Sequence, residues 1–127
     1  MILDTLACWH QMLESQDPAA LDLLLDDDVV FYSPVVHEPQ HGKILTKMYL
    51  TAAFHILCNE TFEYVREVAD SRGAALEFEV EIDGVFVNGV DLIKWNDDGR
   101  IEEFKVMLRP IKAINLVREK MAALLNA

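Results

Sequence analysis

Between Leu76 and Ile82 the chain alternates strictly: Leu76, Phe78, Val80 and Ile82 are apolar, while Glu77, Glu79 and Glu81 are charged. A period of two puts the apolar set on one face of a strand and the glutamates on the other. Such a segment belongs in a sheet with one face on a core and one in water. Asp83-Gly84 follows at once, and it is a hairpin signal because the tightest hairpin turn needs positive φ at both central residues. Val85 to Trp95 reads as a long returning strand, with a bulge or bend expected at Asn88-Gly89. Asn96-Asp97-Asp98-Gly99 turns the chain into a further strand, Ile101 to Arg109. Phe62 to Ala69, closed by the turn Ser71-Arg72-Gly73, completes a four-strand antiparallel meander.

The flanking segments have the helical period instead. Ile2, Leu6, Trp9 and Leu13 make one apolar stripe over residues 2–15. Asp17-Pro18 restarts the chain as N-cap and first helical residue, where the missing proline N–H costs nothing. Leu21, Leu24 and Leu25 form a short helix, expected to end at Asp26-Asp27-Asp28, because the helix dipole disfavours negative charge there. Val29 to Ser33 reads as a strand closed by Pro34, followed by a loop through Gly42 and a third helix from Leu45 to Cys58. Pro110 opens a last helix, with Ile111, Ile114, Val117, Met121 and Leu124 spaced for packing. The expected class is α+β, one domain over residues 1–127. A curved antiparallel sheet wraps around N-terminal helices and leaves a concave, mostly apolar interior, with a helix at the C-terminus.

Charge narrows the function. The chain carries 22 acidic and 11 basic residues, a net charge of −11, which repels phosphate backbones and anionic lipid surfaces. No nucleic-acid role is expected. No apolar run reaches the roughly 18 residues of a membrane span, so no membrane role is expected either. Met-Ile-Leu-Asp at the start lacks the basic leader and apolar run of a signal peptide, and two cysteines make a poor disulfide framework. A reducing cytoplasm is the expected setting. Residues 1–41 hold eight acids and no Lys or Arg, whereas Arg109, Lys112, Arg118 and Lys120 make the C-terminus basic, so the two ends are expected to face solvent or one another.

Asp91 is the most informative polar residue. By alternation it shares a face with Ile93 and Trp95, while Val90, Leu92 and Lys94 point the other way. A carboxyl among apolar neighbours has its charged form disfavoured, so its pKa rises and it can act as acid or base near neutrality. A plain aspartate hydrogen-bonded at the strand bend is the alternative. The same parity argument puts Phe31, Phe104, Val106 and Leu108 around a pocket, or in ordinary core. His37-Glu38-Pro39-Gln40-His41 fits the H-E-x-x-H string of zinc peptidases. That motif needs a helix, and Pro34, Pro39 and Gly42 argue for a loop, so no metal is expected and His37 or His41 is left as a candidate ligand contact. His55 and Cys58, three apart on a helix, are read as a partly buried imidazole and a packed thiol. Gly42-Lys43 lacks the rest of a phosphate loop.

Three segments carry a resemblance: Asp26 to Pro34, a strand after an acidic stretch; Glu38-Pro39-Gln40-His41-Gly42-Lys43, the loop before the third helix; and Asp91 to Ile101, a strand, a turn and the next strand's start. In that order and spacing the chain resembles the nuclear transport factor 2-like superfamily. It is most similar to the SnoaL-like branch, with its ketosteroid isomerases and polyketide cyclases. The resemblance implies a cone-shaped α+β barrel, a homodimer, a small apolar ligand in the cone and no cofactor. It places Asp91 where ketosteroid isomerases hold a protonated oxyanion-hole aspartate. It also places Ser33 at the general-base aspartate and Trp9 at the oxyanion tyrosine. Serine is no base near neutral pH, and an indole N–H is a weaker acid than a phenol. The implied function is a small-molecule-binding protein that isomerises, dehydrates or cyclises through Asp91, the alternative being a ligand-binding or dimeric assembly module without chemistry.

Overall fold

A computed structural model describes residues 3–126; the Ile2 end of the first stripe lies outside them. Helix α1 spans Thr5–Ser15, opened by Asp4, whose side chain accepts the Ala7 N–H at 3.2 Å. Asp17 caps a 3₁₀ turn, Pro18–Ala20, that runs into the one-turn helix α2, Leu21–Leu24. Strand β1 follows at Leu25–Tyr32 and the short β2 at Gln40–His41; helix α3 is Lys43–Leu57. Then come β3 at Glu63–Ala69, β4 at Gly73–Ile82, β5 at Val85–Trp95, β6 at Ile101–Arg109 and α4 at Ile111–Leu125. Among these helices none is long and apolar enough to cross a membrane.

The strands form one curved, unclosed sheet in the order β2-β1-β6-β5-β4-β3. The meander β3 to β6 is antiparallel throughout, as its alternation requires. At the other end β1 runs parallel to β6, with Phe31 opposite Phe104. Asp83 and Gly84 both take positive φ, 51° and 79°, in the two-residue turn between Ile82 and Val85. Every apolar residue of the alternating set is buried, from Leu76 to Ile82.

Several local expectations change. Asp26, Asp27 and Asp28 do not end a helix; they sit inside β1, which starts at Leu25, with Asp27 and Asp28 facing solvent. Leu25 and Val29 are fully buried on the opposite side, so tertiary burial of those two positions outweighs the low strand propensity of aspartate. Among the described residues Asp22 and Asp27 pair with Lys47 and Lys43 of α3, and Lys120 of the basic C-terminus pairs with Asp83 of the β4–β5 turn. No bulge forms at Asn88-Gly89. The β4–β5 register is unbroken from Gly73/Lys94 to Ile82/Val85. Gly89 is there for space, since a Cβ would overlap the Phe78 ring and come within 2.7 Å of Leu108 Cδ2. In α4 the buried positions are Ala113, Val117 and Met121, while Ile111 is exposed.

Candidate functional site

Helices α1 and α3 lie over the concave face of the sheet, and a chamber of about 40 Å³ remains between them. Trp9 and Leu13 reach it from α1; Leu50, Ala53, Phe54 and Leu57 from α3, with Cys58 just beyond. The sheet contributes Tyr64 from β3, Phe78 from β4, Asp91 from β5, and Phe104 and Val106 from β6; Phe62, ahead of β3, closes the wall. The lining is apolar apart from a short chain of hydrogen bonds. The Trp9 indole N–H donates to the Tyr64 hydroxyl at 2.9 Å, and the Tyr64 O–H donates to Asp91 Oδ2 at 2.7 Å.

Tyr64 was not visible as a candidate in the sequence. Simple alternation along β3 gives it the same face as Arg66 and Val68, both of which point outward. The register slips between Tyr64 and Arg66, so Val65 is an extra residue that returns Tyr64 to the inner face opposite Phe78.

The chamber sets the protonation states of its groups. Burial pushes the Asp91 carboxyl up from the ordinary carboxylate range to about 7, against the Tyr64 hydrogen bond, which favours the charged form. Burial first, and then the Asp91 charge, hold Tyr64 well above its usual value. The same two causes push the Cys58 thiol up to about 12. At neutral pH Tyr64 and Cys58 therefore stay protonated, while Asp91 is divided between its acid and its base form. Among the described residues no hydrogen bond involves Asp91 Oδ1.

The structure thus brings Trp9, Asp91, Phe104 and Val106 together and separates the other candidates. Phe31 is buried beside them, its ring 6.2 Å from Phe104 and 5.8 Å from Tyr49, as core beneath the chamber. Trp95 shares the inner face but lies four residues further along β5, where its N–H donates to the Ser71 carbonyl at 2.9 Å. Ser33 accepts the Val35 N–H at 3.1 Å, and with His37 and Leu108 it borders a groove at the mouth of β1 and β6 instead. His37 and His41 are not one helical turn apart: residues 33–39 form no helix, and His41 is in β2. His55 is exposed on α3 while Cys58 faces the chamber. No group of three metal-binding side chains occurs among the described residues.

Comparison with known proteins adds the following. The family model for the SnoaL-like domain matches residues 7–104. The crystal structure of a steroid delta-isomerase from Pseudomonas aeruginosa is 36% identical, with a TM-score of 0.91 over 96% of this chain and 89% of that one. An uncharacterised bacterial protein with a cystatin-like fold from Silicibacter pomeroyi DSS-3 is 29% identical, with a TM-score of 0.86 over 94% and 84%. An NTF2-like protein of unknown function from Mesorhizobium loti, 20% identical with a TM-score of 0.72 over 84% and 89%, shares the fold. No curated protein sequence matches the chain.

Proposed function

The chain belongs to the SnoaL-like domain family, and from that premise we propose that it binds a small, largely apolar molecule in the α1–α3 chamber and moves a proton on it through Asp91. The observation that carries the reading is the Tyr64–Asp91 pair. A carboxyl is held at 2.7 Å by a phenol within an apolar lining, near half-protonation at neutral pH, with one oxygen left for a ligand. A group in that state can deliver a proton to one atom and take one from its neighbour, so a single residue serves as acid and base in turn. This suits isomerisation, dehydration or cyclisation without a cofactor. The similarity to a steroid delta-isomerase supports an isomerase-type role. Ser33, being outside the chamber and no base, contributes nothing to the step.

A thermal-shift screen with steroid-, terpenoid- and polyketide-like compounds, followed by turnover of the hits by the native chain and Asp91→Asn, tests this. Turnover that disappears in the variant while binding persists is the expected result. Binding without turnover in either protein would instead establish the second reading, a ligand-binding module without chemistry. One observation favours that reading: ligand sites usually run to roughly 300–1,000 Å³, and this chamber must widen to take a molecule of that size.

The same proposal includes a homodimer in the cytoplasm. The outward face of β3 to β6 exposes Val68 and Met107, with Val90 and Leu92 half-buried beside them, which is an apolar strip on an otherwise charged sheet. A second copy covering that strip would bury it. Cys8 and Cys58 are both free thiols, in keeping with a reducing compartment.

A further inference from the structure

Trp9, Phe54, Phe62, Tyr64, Phe78 and Phe104 place six aromatic rings around the chamber, and Asp91 is its single charged side chain. No Lys, Arg or His borders it. The hydrogen bonds make its polarity one-sided. Trp9 has one N–H, and it goes to Tyr64; Tyr64 has one O–H, and it goes to Asp91 Oδ2. The Cys58 S–H is a weak donor. With Asp91 ionised, the chamber therefore offers a ligand one strong acceptor, Oδ1, no free strong donor, and ring quadrupoles that attract cations.

From this arrangement we infer that the chamber binds small tertiary ammonium ions, whose single N–H donates to Asp91 Oδ1 while their alkyl groups pack against the rings. The inference rests on reading the chamber as the ligand site and goes beyond it by assigning the occupant a positive charge. Asp91 Oδ1 is the one carboxylate oxygen without a partner, so the further N–H groups of a primary ammonium would have to share it or compete with Tyr64 at Oδ2, and a quaternary ion would forgo the hydrogen bond altogether. At about 40 Å³ the chamber must widen for any ligand, and a compact amine asks for the least widening. The net charge of −11 raises the local concentration of cations around the protein.

Binding of this kind depends on pH with a definite sign. The titratable groups facing Asp91 are Tyr64 from β3 and Cys58 after α3, and both stay protonated across the neutral range. The other walls contribute Trp9, Phe78, Phe104 and Val106, none of which carries charge. His10 and Glu67 lie beyond Tyr64, paired with each other at 2.7 Å, the His10 ring edge-on to Tyr64 at 5.8 Å. An ammonium ion needs the carboxylate, so its affinity falls as Asp91 takes up a proton. For a carboxyl titrating at about 7, binding at pH 5.5 is roughly thirty-fold weaker than at pH 8.

The test uses three five-membered rings: N-methylpyrrolidine, pyrrolidine and cyclopentanone. Each is titrated into ¹⁵N-labelled full-length protein at pH 8 and pH 5.5, and the Trp9 indole N–H resonance is followed. The expected result is binding of N-methylpyrrolidinium at pH 8, weakened about thirty-fold at pH 5.5, with pyrrolidinium weaker than N-methylpyrrolidinium at pH 8. Asp91→Asn should lose the amine and keep cyclopentanone, which also shows that the variant is folded. If cyclopentanone moves the Trp9 resonance and the amine does not, the cation inference is overturned while the chamber remains a ligand site. If none of the three moves it, the chamber reading fails and takes the inference with it. Equal amine affinity at the two pH values, or in Asp91→Asn, overturns the inference as well.

Discussion

Tyr64 and Asp91 lie on strands that are not neighbours, and the phenol spans the intervening β4 to donate to the carboxyl at 2.7 Å. The contact ties the edge strand β3 to the middle of the sheet through a polar bond inside an apolar space. In such surroundings a hydrogen bond is stronger than in water, and an unpaired partner is costlier.

Asp91 links stability to pH. Its folded-state pKa lies above the ordinary value of 3.8, at about 7, so between those values the folded chain holds more proton than the unfolded one. The stability contributed by the protonated form is full below 3.8 and is lost as pH rises through 7. Between pH 5 and pH 8 the loss from this group is on the order of 3 kcal/mol. Urea unfolding of the native chain and of Asp91→Asn at both pH values should show the variant gaining by that amount on going to pH 8. A difference between the two proteins that does not change with pH would disprove the assignment.

Removing the Tyr64 hydroxyl should push Asp91 higher still. The donated hydrogen favours the carboxylate, and in Tyr64→Phe only desolvation remains. Hydrogen bonds to a charged group are worth about 1.5–3 kcal/mol, so the carboxyl midpoint should rise by roughly 1–2 units. Carboxyl-carbon NMR titration measures it directly. The Trp9 N–H loses its acceptor in the same variant, and its resonance should shift upfield.

Gly89→Ala should destabilise the chain by about 1–3 kcal/mol. The added methyl meets the Phe78 ring, Leu108 and, at 2.9 Å, the Met107 carbonyl oxygen, which is backbone and cannot step aside. Thermal unfolding of the variant at its full length reports the cost, and a melting temperature equal to the native one would contradict this packing.

The dimer has a separate test. Native protein at micromolar concentration should sediment with the mass of two chains. Met107→Glu, on the outward face of β6 and half exposed, should sediment as one while keeping its circular dichroism spectrum. A native mass of one chain rules the dimer out.

The fold and part of the site could be read from the sequence because alternation reports which face a residue takes. It puts Asp91, Phe104 and Val106 on the inner face, where all three line the chamber. Alternation is silent about position along a strand: Trp95 shares the face of Asp91 but stands four residues away, roughly 13 Å at the rise of a strand, and its N–H has another partner. Ser33 and His37 were separated from the chamber for a related reason, since the chain leaves β1 at Tyr32 and carries them to the rim. Asp26 to Asp28 lie in a strand because their local preference for a helix end gives way to the burial of Leu25 and Val29.

One inserted residue in β3 has the widest reach. Val65 acts as a phase slip: before it, odd positions face out and even positions face in; after it, the parity is reversed. The strand can therefore present a phenol to the interior at Tyr64 and an apolar contact to the exterior at Val68, although both carry even numbers. Unbroken alternation would put Arg66 and Val68 on the same face as Tyr64, so one residue decides the inside and outside of half a strand. The chemistry of the chamber is thus governed as much by counting as by composition.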